Sequence, residues 1–216
     1  MILAILGAGG MGRDMLELAR QIEDNQHRWD KIIFINNGEK SDPIDGIKTI
    51  GLEEAVAKYG SELEAIIAVG EPSLREKICN DLKNNAIQGA TLIHPNVHVP
   101  KNAKIGSGVA IFSGAFIANN SKIGNNSSIL FNSILGHDAV LGEGVMLSHL
   151  SILAGMCQVG DYTYIGPGVT VRESTKIGKY CIIAMGSTVF EDVEDEVMVM
   201  GYPARPIKRN KKHRVF

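Results

Sequence analysis

His137 is followed directly by Asp138, and Gly155 stands eighteen residues further on. A carboxylate beside an imidazole holds one ring nitrogen protonated and makes the other more basic, which is what a general base requires. A glycine placed over that imidazole lets a backbone N–H approach a carbonyl oxygen, where acyl transfer needs a donor for the developing oxyanion. Base below and donor above form a workable acyl-transfer pair. A second constellation lies at the start of the chain. Gly7, Gly9 and Gly12 match G-x-G-x-x-G between an apolar run, Met1 to Leu6, and a helical stretch, Arg13 to Ile22. N–H groups at such a helix start can hold a phosphate. Of the remaining histidines, His27, His94, His98 and His213 fall in loops, the linker, the first repeat and the tail. His149 lies inside the repeated region, and its default reading is a surface residue.

The elements that must position these groups are visible as a period of six. From Val99 an aliphatic recurs at Ile105, Ile111, Ile117 and on through Leu135, Leu153, Val171 and Val189 without one polar interruption. Two places earlier stands a small or slim residue, as at Ser121, Ser127, Ser133, Ala139 and Cys157, and Gly follows the aliphatic at 106, 124, 136, 142, 160, 166 and 178. Six suits neither the 3.6 of a helix nor the 2 of a half-buried strand. It suits a parallel β-helix, a triangular prism whose coil takes three hexads. Slipping the register by one would turn polar groups inward along the whole prism. Residues eighteen apart are then neighbours, so His137, Gly155 and Glu173 stack on successive coils, and the glycines are expected to take unusual dihedrals at the corners. His137 and His149, each two places after an inward aliphatic, point off the core and lie on different faces.

The first third alternates strands (1–6, 31–35, 65–69) with helices (13–22, 52–59, 72–82), the pattern of a small parallel α/β sheet. A dinucleotide would want an acid at the end of the second strand, where this chain has Asn36 and Asn37, and a second mononucleotide half for which about ninety residues leave no room. The turn suits a nucleotide-sugar diphosphate, with a ligand-free structural turn as the alternative. Thr91 to Pro95 reads as a connector, giving an α/β domain over 1–90, a prism over 96–195 and a C-terminal tail over 196–216, whose basic stretch from Arg205 to Arg214 reads as a solvated terminus.

Composition narrows the partners. The net charge of −2 argues against nucleic acid, and no apolar run approaches a membrane span. Three cysteines without paired spacing indicate neither a disulfide framework nor a zinc site, and a cytoplasmic setting fits. A metal-dependent prism needs three converging histidines, which the hexads do not supply, so no metal is expected.

The GAGGMGRD turn, the IAVGEPSLREKI stretch, the hexads, Leu135-Gly136-His137-Asp138 and the closing GYPARPIK together resemble the hexapeptide-repeat acyltransferases, in the branch typified by NeuD and PglD. The resemblance covers essentially the whole chain. It implies a small Rossmann-like α/β domain followed by a left-handed parallel β-helix, a homotrimer, and acetyl-CoA lying between adjacent prisms. It implies His137 as general base tuned by Asp138, an oxyanion contact from Gly155, and a coenzyme groove that also involves Met146, Pro167 and Met185. It places a nucleotide-sugar acceptor at Gly9, Gly10, Met11, Asn36, Asn37, Gly70 and Ser73. The implied reaction is N-acetylation of a UDP-4-amino-4,6-dideoxy sugar for a bacterial surface glycan. O-acetylation of sialic acid or a related sugar is the alternative, and a non-catalytic trimeric scaffold the second. The family commonly has His at position 11, an acidic pair at 36 and 37, and a second His at 146; the changes to Met11, Asn36, Asn37 and Met146 touch the acceptor pocket and the coenzyme groove.

Overall fold

The computed structural model describes residues 1–36 and 43–215, apart from the side chain of Asn25, so Asn37 lies outside the described residues. In chain order the first part comprises β1 (Ile2–Leu6), α1 (Gly10–Gln26), β2 (Lys31–Ile35), β3 (Thr49–Ile50), α2 (Leu52–Tyr59), β4 (Leu63–Ile67), α3 (Pro72–Asn84) and β5 (Gln88–Gly89). The strands pair in parallel in the order β3-β2-β1-β4-β5. β1 is buried along its whole length because both its faces are covered, as its unbroken apolar sequence requires. The chain leaves β1 toward β2 and later returns to β4 on the other side. The loops at the carboxyl ends of β1 and β4 therefore diverge, and that crevice is where open α/β sheets place ligands.

Strand β6 (Leu92–Ile93) pairs with Ala110–Ile111 and so forms the first rung of one prism face. Fifteen two-residue strands follow, from Lys104–Ile105 to Thr188–Val189. As far as Thr170–Val171, each is paired in parallel with the strand eighteen residues on, as Ile134↔Ile152 and Leu135↔Leu153. The three sheets close a left-handed parallel β-helix behind the small α/β domain, the architecture the repeat and the resemblance lead one to expect. From Ile111 to Val189 the inward aliphatics are all buried in one core. At about 1.5 to 3 kcal/mol each, their burial resists any slip of register. Several slim positions carry buried hydroxyls that bond to the following coil, as Ser127 to the Gly142 carbonyl at 2.9 Å, Ser133 to the Ser148 carbonyl at 2.7 Å and Thr163 to the Gly178 carbonyl at 2.7 Å. These bonds remove the penalty of burying a polar group.

The corners correct one expectation. Left-handed φ falls three residues after each inward aliphatic, at every sixth position from Gly108 to Gly186, including Asn120, Asn126, Asn132 and Asp138. The glycines directly after the aliphatics have no such φ. They are required by close approach instead: a Cβ on Gly124 would stand 2.8 Å from the Glu143 nitrogen of the next coil.

The outward side chains make the three faces different. Ala110, Ser128 and Met146 are buried beneath the α/β domain, and Ile182, further along the same face, is buried as well. Lys104, Lys122, Val140, Gln158 and Lys176 form a polar face. The third face presents Phe116, Ile134 and Ile152, with Phe116 60% exposed, and then Thr170 and Thr188. Exposed Leu150 and Met156 stand at its two edges.

The tail is not solvated throughout. Val197–Gly201 adds to the Ile182–Ile183 rung and pairs antiparallel with Ala204–Arg209. Beyond it, the His213 ring lies flat on Tyr180 at 3.8 Å, its Nε2 meets Glu196 at 3.0 Å, and its carbonyl accepts the Ser73 N–H. The Val215 N–H donates to Glu71. The last residues thus strap the far end of the prism to the start of α3.

Candidate functional site

The corner between the apolar and the polar face carries His137. Its Nδ1–H donates to Asp138 Oδ2 at 2.8 Å, with both side chains about half exposed (60% and 49%). Asp138 occupies a corner position with φ 59°, a conformation Asp tolerates better than most residues. That backbone turn brings its carboxylate beside the preceding ring. The His137 hydrogen bond, and next to it one from Asn120, holds the Asp138 carboxyl below the usual carboxylate range. It is therefore ionised at neutral pH and fixes the tautomer that leaves Nε2 without a proton. The free edge of the ring lies on Gly155: a Cβ there would clash with Nε2 and stand 2.6 Å from Cε1. Among the described residues the Gly155 N–H has no hydrogen-bond acceptor.

On the opposite edge of the same apolar face, eighteen-residue spacing aligns Phe131, His149, Pro167 and Met185. Met185 is 74% exposed, while the His149 ring stacks on Phe131 at 5.6 Å and 6°. Phe131 in turn packs on Phe112 and on the core beneath the α/β domain, to which Met11 also belongs. Pro167 and Met185 thus share one column, whereas Met146 does not join them. It is 2% exposed, sealed between prism and α/β domain, with its Cε 3.9 Å from where a Gly70 Cβ would be. The expected place of Met146 in an open coenzyme groove is corrected accordingly: position 146 points outward from the covered face.

In the α/β domain, two of the three motif glycines are explained by packing. Gly7 has φ +124° and a Cβ would stand 2.6 Å from the Ala68 carbonyl oxygen; one on Gly12 would collide with the Gly7 carbonyl. Nothing in the fold demands Gly9 or Gly10, which are exposed with open space around them. Asn36 and Gly7 line a cavity of about 190 Å³ at the carboxyl edge of the sheet, together with Val69, Lys77 and Asp81. Lys77 thus brings a cation to this cavity, from a position outside the glycine motif. Ser73, by contrast, has its N–H occupied by the tail.

The seam between the two parts is held by Arg75, which is 1% exposed and faces no carboxylate among the described residues. Its guanidinium donates to the carbonyls of Val69 at 2.6 Å, Gly144 at 3.2 Å and Asn126, and to Ser128 Oγ at 3.2 Å. Burial pushes it down to about 10, opposed by Cys79 and Tyr162. Arg75 thus ties the loop bearing Gly70 to two coils of the prism. Among the described residues no three His, Cys, Asp or Glu side chains are grouped to hold a metal, and no helix is long and apolar enough to cross a membrane.

Residues 2–82 match the PglD N-terminal domain, 82–165 the GMPPB C-terminal domain and 156–191 the bacterial transferase hexapeptide repeats. The acetyltransferase domain of PglB from Neisseria gonorrhoeae, solved with acetyl coenzyme A, superposes with a TM-score of 0.87 at 26% identity, over 95% of this chain and 98% of that one. A mutant perosamine N-acetyltransferase from Caulobacter crescentus, solved with CoA and GDP-perosamine, gives 0.86 at 26% identity, over 96% and 97%. A 2,3,4,5-tetrahydropyridine-2,6-dicarboxylate N-acetyltransferase from Clostridium perfringens is 44% identical over 52 residues, 24% of this chain and only 22% of that relative. The two family models at the ends and the whole-chain likeness in structure converge: the chain carries a PglD-type N-terminal domain and transferase hexapeptide repeats, and is similar over its length to sugar acetyltransferases.

Proposed function

We propose that the protein transfers the acetyl group of acetyl-CoA to the amino group of a nucleotide-activated sugar of the UDP-4-amino-4,6-dideoxy type, in the cytoplasm, for a surface glycan. The observation that carries this reading is the His137 ring, oriented by Asp138 and laid against Gly155. His137 Nε2 takes a proton from the amine as its nitrogen attacks the thioester carbon. The carbonyl oxygen gains negative charge beside the Gly155 N–H. As the oxyanion re-forms the carbonyl, the C–S bond breaks, the proton passes to the departing sulfur, and an amide and free CoA result. The neighbours solved with acetyl-CoA and with GDP-perosamine support the donor and the acceptor class.

The faces support a trimeric assembly. One is covered by the α/β domain and one is polar, so the Phe116, Ile134 and Ile152 face is the one that gains from burial. Three copies turning this face to a common axis form a closed ring. Each His137 edge then meets the Pro167 and Met185 edge of the next copy, and the groove between those edges takes the coenzyme. The acceptor occupies the crevice at Gly9, Gly10, Met11, Asn36 and Gly70, with Lys77 toward its diphosphate. Thiol release from acetyl-CoA, screened over UDP-, dTDP- and GDP-amino sugars and sialic acid, tests the reaction. Release with an amino sugar is expected; release only with sialic acid would move the assignment to O-acetylation, and none with any sugar would overturn it. Ile152→Glu should dissociate the trimer in sedimentation and abolish turnover.

A further inference from the structure

His149 is left without a role by that reaction, yet its surroundings are built. Its ring is half-buried, held flat on Phe131, with Ser148 Oγ 3.5 Å from Nδ1. Phe131 packs against the same core as Met11 of the glycine turn. His149 thus stands where the prism edge meets the acceptor side of its own α/β domain. His137 stands on the other edge of the apolar face, one hexad away around the coil, which is up to about 20 Å of extended chain. Within one copy the two imidazoles serve different edges.

Cyclic packing changes that. The coil rises about 4.8 Å per eighteen residues, so the twelve residues from His137 to His149 correspond to about 3.2 Å of height. A three-fold axis parallel to the prism leaves heights unchanged. The His149 edge of one copy therefore faces the His137 edge of the next at less than one coil of offset. We propose that His149 is an acceptor-binding residue contributed in trans: it hydrogen-bonds the sugar held by its own α/β domain and presents the sugar nitrogen to the partner's His137. This rests on the assembly and acceptor class proposed above.

Three measurements test it. His149→Ala should raise the KM for a UDP-4-amino-4,6-dideoxyhexose or GDP-perosamine about tenfold or more, with the KM for acetyl-CoA little changed and partial rescue by His149→Gln. An unchanged acceptor KM overturns the proposal while leaving the acetyltransferase reading intact. Co-expressed His137→Ala and His149→Ala chains should recover about a quarter of wild-type activity, since each mixed trimer contains one site with both imidazoles. A mixture no more active than its parents means the two residues act within one chain or not together. The third measurement needs no turnover. A chain carrying both His137→Cys and His149→Cys, treated with a short bis-maleimide, should yield covalent trimers on a denaturing gel, because the native cysteines are buried. Trimer formation by this variant, together with no turnover of any sugar by the unsubstituted enzyme, would uphold the shared edge and reject the acceptor class; monomer alone overturns the proposal.

Discussion

Gly155→Ala separates the chemistry of this site from the stability of its scaffold. The new methyl would clash with His137 Nε2 and lie 2.6 Å from Cε1, where carbon atoms pack at about 3.5 Å or more. The ring must move by about 1 Å. It is free to do so, since the His137 side chain is 60% exposed, but any such swing lengthens the 2.8 Å bond to Asp138 and carries Nε2 from the position that receives the proton. Gly155 does not have a left-handed φ, so the backbone itself tolerates alanine. Folding should change by no more than about 0.5 kcal/mol, as for ordinary surface substitutions. A misplacement of about 1 Å at a reacting group costs about 100-fold in rate, equivalent to about 2.7 kcal/mol of barrier. Gly136→Ala, one coil below, is the internal control. Its Cβ would meet backbone instead, the Ala154 carbonyl carbon at 2.5 Å and the Gly155 nitrogen at 2.6 Å. Two coils must then part, at a cost of about 3 kcal/mol. Thermal melting and thiol-release kinetics on the two variants decide the matter. A Gly155→Ala enzyme with full kcat, or one destabilised as much as Gly136→Ala, would refute the role given to the His137–Gly155 contact.

Other expectations follow from the same geometry. His137→Ala should lower turnover at least about 100-fold, and Asp138→Asn about 10-fold or more, with melting temperatures unaltered in both. Arg75→Met strands three carbonyls and the Ser128 hydroxyl at a dry seam. It should cost about 3 kcal/mol or more in denaturant unfolding, with the α/β domain becoming protease-sensitive first. Absorbance titration of the phenols should show Tyr59 ionising early, because Lys31 lowers it, and Tyr180 late, near about 12, because of burial and its bond to Glu76. Burial also raises Tyr162 and Cys79. Since a raised folded-state value means the native protein holds the proton longer, their contribution to stability is full below pH 9, the ordinary thiol value, and is lost as pH rises through 10, the ordinary tyrosine value, toward about 12. A melting temperature that rises over that interval would contradict the burial of these groups.

The parts that were legible in the sequence are those governed by period. Because each coil takes eighteen residues without insertion, the stacking of Gly155 on His137 and the grouping of Pro167 with Met185 were arithmetic. Which hexad position turns the corner was also written there, in Asn120, Asn126 and Asn132 at six-residue intervals. The glycines beside the aliphatics drew attention away from them, although those glycines answer to the closeness of the next coil. Met146 was harder, because all three faces share one period and the repeat is silent on which face another domain covers. Only the outward residues tell: Ala110 and Ser128 below Met146 are small and buried, whereas Lys104 and Lys122 on the adjoining face are solvated. Arg75 follows the same logic. It stands four and seven places before Cys79 and Leu82, both buried, so its helical face was marked as interior and its charge as something the prism backbone must satisfy. A buried cation answered by carbonyls of two coils can sit in only one azimuth on the prism. The angle between the proposed acceptor crevice and the proposed coenzyme edge, which no period encodes, is therefore set by Arg75 and by the strap at His213, and specificity for the acceptor is expected to respond to changes at these two contacts as well as at the crevice itself.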